Sequence, residues 1–185
     1  MATDVLGTLI LLGWVGLEVA LRAPGSASSL RATAADRSST LLILAGYAVA
    51  IVVPIASTLA GLDTVGELAW LGVVIGGLGL GLRAWAMRTL GAAYTRTLRT
   101  EADQALMTSG PYRWIRHPGY AASIAVWVGA ALAFHSWVAA GLVAILLGLA
   151  YGYRIRSEER MLAATFGAAY EAYARRTARL IPGLF

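Results

Sequence analysis

Five apolar runs, at residues 5–21, 40–62, 68–90, 120–134 and 137–153, limit what this chain can become. Crossing a hydrocarbon core takes about 20 predominantly apolar residues in a helix. The runs therefore predict an all-α integral membrane protein with about five transmembrane helices. The overall balance agrees: 58% of the 185 residues are hydrophobic and 14% are charged, against roughly a quarter charged in a soluble domain. The fourth and fifth runs are short, and only His135 and Ser136 separate them. A tight helical hairpin is expected there, the alternative being that these two runs do not fully cross.

Charge placement orients the spans. Arg22, Arg31 and Arg37 follow the first run, and Arg88, Arg96, Arg99, Arg113 and Arg116 follow the third. The connection between the second and third holds Asp63 and Glu67 and no basic residue. Short arginine-rich loops stay cytoplasmic, which predicts an outside N-terminus and a cytoplasmic C-terminus. The membrane expected is a bacterial inner membrane, because all fifteen basic residues are arginine and Ala and Gly abound, a bias of GC-rich bacterial genomes. Topology thus accounts for the net charge of +5, and no separate basic domain points to nucleic acid. The start of the chain, with Asp4 and no basic residue, lacks the opening of a signal peptide. The absence of cysteine excludes thiolate chemistry and cysteine metal sites, and His117 and His135 alone are too few for a histidine-rich metal centre. Chemistry is left to Arg, Glu, Tyr and backbone groups, or to a bound cofactor.

In the third run Gly72, Gly76, Gly77 and Gly81 form small-xxx-small patterns that let helix backbones approach closely. They do not read as a dinucleotide loop, which needs a preceding strand. Beyond the fifth run, Leu162, Phe166, Tyr170 and Tyr173 recur near the helical period, predicting an interfacial amphipathic helix over 157–179. Residues 93–109 have no strong period and are expected as an extended cytoplasmic loop. One integrated membrane domain results, with a three-span region over 1–92 and a catalytic region over 93–185.

The polar stretch SGPYRWIRHPGY, residues 109–120, precedes the fourth run. Pro118 restricts His117 to an extended conformation and suits the first turn of a helix. His117 therefore sits where unpaired N–H groups and the positive dipole end can hold an anion. Gly110 and Pro111 signal a turn that presents Tyr112, and Arg113 and Arg116 add positive charge. Just past the fifth run, Arg154 and Glu158 are four apart on one helical face. A hairpin joining runs four and five brings its two free ends together, so His117 and Glu158 should be neighbours. Read blandly, the same residues are topology-setting arginines, an interfacial tyrosine and a surface ion pair.

The segments LMTSGPY (106–112), RHPGY (116–120), Glu158 with Glu159, and FGAAYEAY (166–173) are together similar, in order and spacing, to the isoprenylcysteine carboxyl methyltransferase family. The resemblance covers roughly residues 94–182. It implies a cytoplasmic pocket for S-adenosylmethionine lined by Tyr112, Arg116, His117, Tyr120, Glu158 and Glu159. It further implies a lipid-like or prenylated acceptor arriving from the bilayer lipids, and Arg154 as the catalytic residue that holds the acceptor carboxylate. Transfer from a sulfonium to a carboxylate removes charge and needs no general base, so alignment and exclusion of water are the main demands. A nicotinamide-dependent membrane reductase of the sterol reductase type, with a related arginine-x-proline-x-tyrosine region, is the enzymatic alternative, and a membrane scaffold the non-enzymatic one.

Two further charged residues lie within the apolar runs. Glu18 is an intramembrane carboxylate, expected to pair with Arg22 one helical turn later. Arg83 is expected to snorkel from the third span towards the cytoplasm.

Overall fold

The computed structural model describes residues 1–20, 34–60, 66–91 and 106–183, with 34–40 as backbone alone. Six α-helices follow one another among these residues: α1 (Ala2–Ala20), α2 (Ala34–Leu59), α3 (Leu68–Leu90), α4 (Pro118–Ala133), α5 (Trp137–Phe166) and α6 (Ala168–Ala174). A 3₁₀ turn, Gly110–Arg113, precedes α4. The expected loop over 93–109 lies outside the described residues as far as 105.

Helices α1, α2, α3 and α5 are long and apolar enough to cross a membrane. Their outward faces carry Leu9, Leu12, Val15, Leu44, Ile51, Val74, Leu78, Ile145 and Leu149, all exposed, as lipid contact requires. Helix α4 has 16 residues and is roughly 24 Å long at 1.5 Å per residue, short of a core of about 30 Å. The expected five helices are present, the fourth falling short of full crossing length.

The close pair is α3 with α4, and glycine makes it possible. A Cβ on Gly72 would stand 2.6 Å from the Gly129 carbonyl oxygen, and one on Gly129 would stand 2.6 Å from the Gly72 oxygen. At Gly79 the obstacle is the Val126 nitrogen, 2.8 Å away. These are backbone atoms, so no side-chain rearrangement can relieve the overlap. Helix α2 lies on α5, and α1 lies against both α3 and α4. Where the helices converge, Tyr47 of α2 stacks on Trp127 of α4 with centroids 4.1 Å apart, and Trp14 of α1 meets both rings edge-on.

The α4–α5 turn is the expected tight hairpin. His135 adopts a left-handed φ of 61°, the Ser136 amide donates to the Ala131 carbonyl at 3.1 Å, and the Ser136 hydroxyl caps α5 by accepting from the Ala139 amide at 3.2 Å. A 3.0 Å hydrogen bond between the Thr3 hydroxyl and His135 Nε2 ties the start of α1 to this turn.

The C-terminal region differs from the single amphipathic helix expected over 157–179. Residues 157–166 continue α5, whose 30 residues run unbroken past the apolar part. Gly167, with φ of 52°, ends the helix, and α6 covers only seven residues. Past Ala174 the chain leaves helical geometry and returns to the segment before α4, where Ile115 and Ala178 form an isolated parallel β-bridge. Carbonyls that a longer helix would have used internally are taken by Arg116 instead.

Substitution at the α3–α4 crossing tests this packing. Gly129→Ala should destabilise the purified protein by about 1–3 kcal/mol, the usual cost of overpacking. Gly81→Ala on the open side of α3, with no atom within 4 Å of its Cβ position, should be neutral or stabilising by up to about 1 kcal/mol through helix propensity. Thermal unfolding in one detergent compares the two.

Candidate functional site

The segment before α4 is held by the tail. The Arg116 amide donates to the Ala178 carbonyl at 2.8 Å, the His117 amide to the Arg179 carbonyl at 3.1 Å, and the Ala178 amide to the Trp114 carbonyl at 3.0 Å. From α6 the Tyr173 hydroxyl donates to the Tyr112 carbonyl at 2.7 Å. Burial pushes that hydroxyl up to about 12, with Arg116 opposing, so it remains a donor through the neutral range.

Arg116 fastens three segments at once. Its Nε donates to Glu159 Oε1 at 2.9 Å, and its Nη1 donates to the Ala174 carbonyl at 2.8 Å and to the Thr177 carbonyl. The second oxygen of Glu159 accepts from Arg179 Nε at 2.9 Å. Glu159 is therefore gripped by two guanidinium groups, one on each oxygen, through the charge-assisted hydrogen bonds that make such pairs strong.

His117, 4% exposed, lies between the two glutamates. Its Nδ1 is 3.5 Å from Glu158 Oε2, and its Nε2 is 3.5 Å from Glu159 Oε1. The expected approach of His117 to Glu158 is thus observed. Burial lowers the imidazole pKa, but the contacts with Glu158 and then Glu159 outweigh it and hold the group above the ordinary histidine value of 6.5. Glu158 differs from its neighbour: its Oε2 is buried without a hydrogen-bond partner among the described residues. Successive helical residues point about 100° apart, so Glu159 faces the tail and Glu158 does not.

Tyr120, in the first turn of α4, stacks on His117 with centroids 5.8 Å apart and on Tyr151 of α5 at 4.8 Å. Tyr120 also interacts with Glu158 and Arg154. Arg154 is half-buried, one turn before Glu158 on α5. Tyr112 is buried in the 3₁₀ turn just before this segment. The structure thus gathers Tyr112, Arg116, His117, Tyr120, Arg154, Glu158 and Glu159 at one end of the bundle.

Other contributors carry no signal in the sequence. Arg179 stands 20 residues past Glu159 and on no shared helix. The Tyr151 hydroxyl bonds that of Tyr47 at 3.1 Å, carrying the aromatic contacts from Tyr120 into the Trp14, Tyr47 and Trp127 cluster. Arg83 corrects the expectation placed on it. Arg83 does not snorkel: it is 8% exposed and donates through Nε to Glu18 Oε1 at 3.1 Å and through Nη2 to the same oxygen. Arg22, the expected partner of Glu18, lies outside the described residues.

Residues 70–164, just over half of the chain, match the model of the isoprenylcysteine carboxyl methyltransferase family. The chain belongs to this family. Among its relatives, the protein-S-isoprenylcysteine O-methyltransferase B of Arabidopsis thaliana is 30% identical over 78% of this chain and 77% of its own length. A cobalt-zinc-cadmium resistance protein of Cupriavidus metallidurans is 32% identical over 58% of this chain and 50% of its own. A solved structure described as the eukaryotic intramembrane Ras methyltransferase aligns with a TM-score of 0.65 at 22% identity, covering 80% of this chain and 53% of that one. It supports the same fold. The chain spans about half the length of the first curated relatives it matches, 56%, 45% and 61%. Among the described residues, no group of three or more His, Asp or Glu side chains could hold a metal ion.

The raised pKa of His117 has a signed consequence. A folded-state pKa above the unfolded value contributes stability that is fully present below the ordinary histidine pKa and is lost as pH rises through the raised value. The melting-temperature advantage of the wild type over His117→Gln should be greatest near pH 6 and shrink steadily as the pH climbs. An advantage that grows with pH would contradict the assigned His117–glutamate contacts.

Proposed function

We propose that this protein transfers a methyl group from S-adenosylmethionine to a lipid-like acceptor, the carboxylate of a prenylcysteine-type molecule, at the end of the bundle where His117 meets Glu158. The observation that carries this reading is the buried Oε2 of Glu158, which has no hydrogen-bond partner among the described residues and stands 3.5 Å from His117 Nδ1 at the start of α4, in a chain of this family.

The donor set fits the cofactor. Glu158 offers a carboxylate oxygen to a cationic group, the first turn of α4 and His117 favour an anionic one, and Tyr112 and Tyr120 offer rings for a planar base. Bound there, S-adenosylmethionine would supply an electrophilic methyl on a sulfonium. The acidic and basic groups of the chain bind and orient, since a carboxylate acceptor has no proton to lose. Arg154, on the same face of α5 as Glu158, holds the acceptor carboxylate through its fork. Arg116 and Glu159, engaged with each other and the tail, hold His117 and Glu158 in place. The end carrying the site faces the cytoplasm, with the N-terminus outside, in accord with the arginine-rich flanks. An acceptor reaching the site from the bilayer would pass from lipid to a water-poor site, where loss of charge is favoured.

Calorimetry with S-adenosylhomocysteine tests the cofactor site. The purified protein should bind it, and His117→Ala and Glu158→Gln should each weaken binding on the order of tenfold or more, the cost of losing a hydrogen bond to a charged group. Binding of reduced nicotinamide dinucleotide in its place would move the protein to the reductase class.

Arg154→Lys tests the acceptor anchor. Cofactor affinity should persist while turnover of a prenylcysteine carboxylate falls on the order of tenfold, because an ammonium cannot give the bidentate contact. Unchanged turnover would return Arg154 to a structural ion pair.

A further inference from the structure

Helices α1 and α3 place a buried ion pair against the first turn of α4. Glu18 is 6% exposed and Arg83 is 8% exposed. Arg83 Nε and Nη2 both donate to Glu18 Oε1, while Nη1 turns the other way and donates to the Gly119 carbonyl at 2.8 Å. That carbonyl also accepts from the Ser123 hydroxyl at 3.1 Å. Gly119 lies between Pro118 and Tyr120, one residue from a ring that stacks on His117.

The glycine is part of the arrangement. A Cβ at 119 would stand 3.2 Å from Arg83 Nη1, so the guanidinium lies where a larger residue would press on it. Burying two charges is costly, and an apolar pair of similar size holds helices together as well or better. What apolar contact cannot do is reach a carboxylate on α1 and a backbone carbonyl on α4 with one rigid group. A planar guanidinium does both because its donors diverge in a fixed fork.

We propose that Arg83 is a positioning residue, locked by Glu18, which sets the first turn of α4 and through it the placement of His117 and Tyr120 towards Glu158. The device rests on the methyltransferase reading for its effect on catalysis, but not for its effect on geometry. It gives α1, which lies outside the family match, a part in the site: the carboxylate that orients Arg83.

The test uses the full-length protein in detergent or nanodiscs, with Glu18→Gln, Arg83→Lys and the double variant Glu18→Gln/Arg83→Gln. Each single change leaves a buried charge without its best partner and should lower the melting temperature. The double variant removes both charges and should regain most of that loss. Positioning and bulk stability then separate. If Arg83 positions α4, the double variant still binds S-adenosylhomocysteine at least fivefold more weakly than wild type, or turns over at least fivefold more slowly, despite its recovered melting temperature, while Arg83→Lys restores part of the activity. Recovery of affinity and turnover together with stability would overturn the proposal.

A second readout does not depend on the cofactor. Histidine-selective ¹⁵N labelling resolves two signals, His117 and His135, the latter at the opposite end of the bundle beside Thr3 and Asp4. Glu158, Glu159 and Arg116 face the His117 site. In the double variant the His117 titration midpoint should move down towards the ordinary histidine value while that of His135 stays put. Should the wild type fail to bind S-adenosylhomocysteine while the His117 midpoint still moves, the function assigned to the site falls and the positioning role stands. An unmoved His117 midpoint in the folded double variant overturns the positioning role, whatever the cofactor result.

Discussion

One guanidinium connects the parts of this protein that the chain keeps far apart. Arg116 stands 43 residues from Glu159 and 61 from Thr177, and bonds both. Were the cation removed, Glu159 would lose its 2.9 Å bond to Arg116 Nε, keeping Arg179 and the His117 contact at 3.5 Å, and two tail carbonyls would lose their donor. A buried acceptor left in that state costs about 1–3 kcal/mol. The arrangement also explains why two adjacent glutamates differ. Glu159 is consumed by the clamp that closes the tail onto the segment before α4. Glu158, rotated about 100° along the helix, keeps a buried oxygen with no hydrogen-bond partner among the described residues, His117 Nδ1 standing 3.5 Å from it. A rigid clamp beside an unsatisfied acceptor is how a site keeps its shape while retaining something with which to bind.

The helices were legible because a bilayer leaves little choice: an apolar run of sufficient length must satisfy its own backbone. All five runs became helices, and the His135–Ser136 spacing foretold the hairpin. Hydropathy marks where a chain leaves lipid, not where a helix stops. Charged residues from Arg154 to Arg160 are good helix formers, so α5 runs on to a glycine that admits φ of 52°. The same reasoning misjudged the tail. Its residues keep a helical spacing, but Arg116 and the bridge to Ile115 offer its carbonyls and amides other partners, and that competition comes from far along the chain, 58 residues for Ala174 and 61 for Thr177.

The candidate site shows the same division. His117 and Glu158 were readable as neighbours because one short turn determines which ends of two antiparallel helices meet. Local spacing also suggested Arg22 for Glu18, since the i,i+4 neighbour is the one that sequence displays. Arg22 lies outside the described residues, and the carboxylate meets Arg83, 65 residues on, through the lateral packing of α1 against α3. No periodicity in either helix encodes that contact. Of the four glycines whose spacing suggested close packing of α3, Gly72 and Gly76 face neighbouring helices, whereas Gly77 and Gly81 have no atom within 4 Å of a Cβ position, and Gly79 makes the further close approach to α4.

The boundary of the family match and the boundary of cooperative packing do not coincide. Residues 70–164 hold Arg83, Trp127, His117, Tyr151 and both glutamates. Yet the carboxylate neutralising Arg83 comes from α1, the ring stacked on Trp127 comes from Tyr47 of α2, and the second guanidinium on Glu159 comes from the tail. Each partner sits where its absence would leave a buried charge or an apolar void, the two defects most costly to a packed interior. The segment with the recognisable motif is therefore not a self-sufficient unit. Its geometry is completed from both sides, by helices with no motif of their own and by a tail whose backbone, more than its side chains, makes the contact.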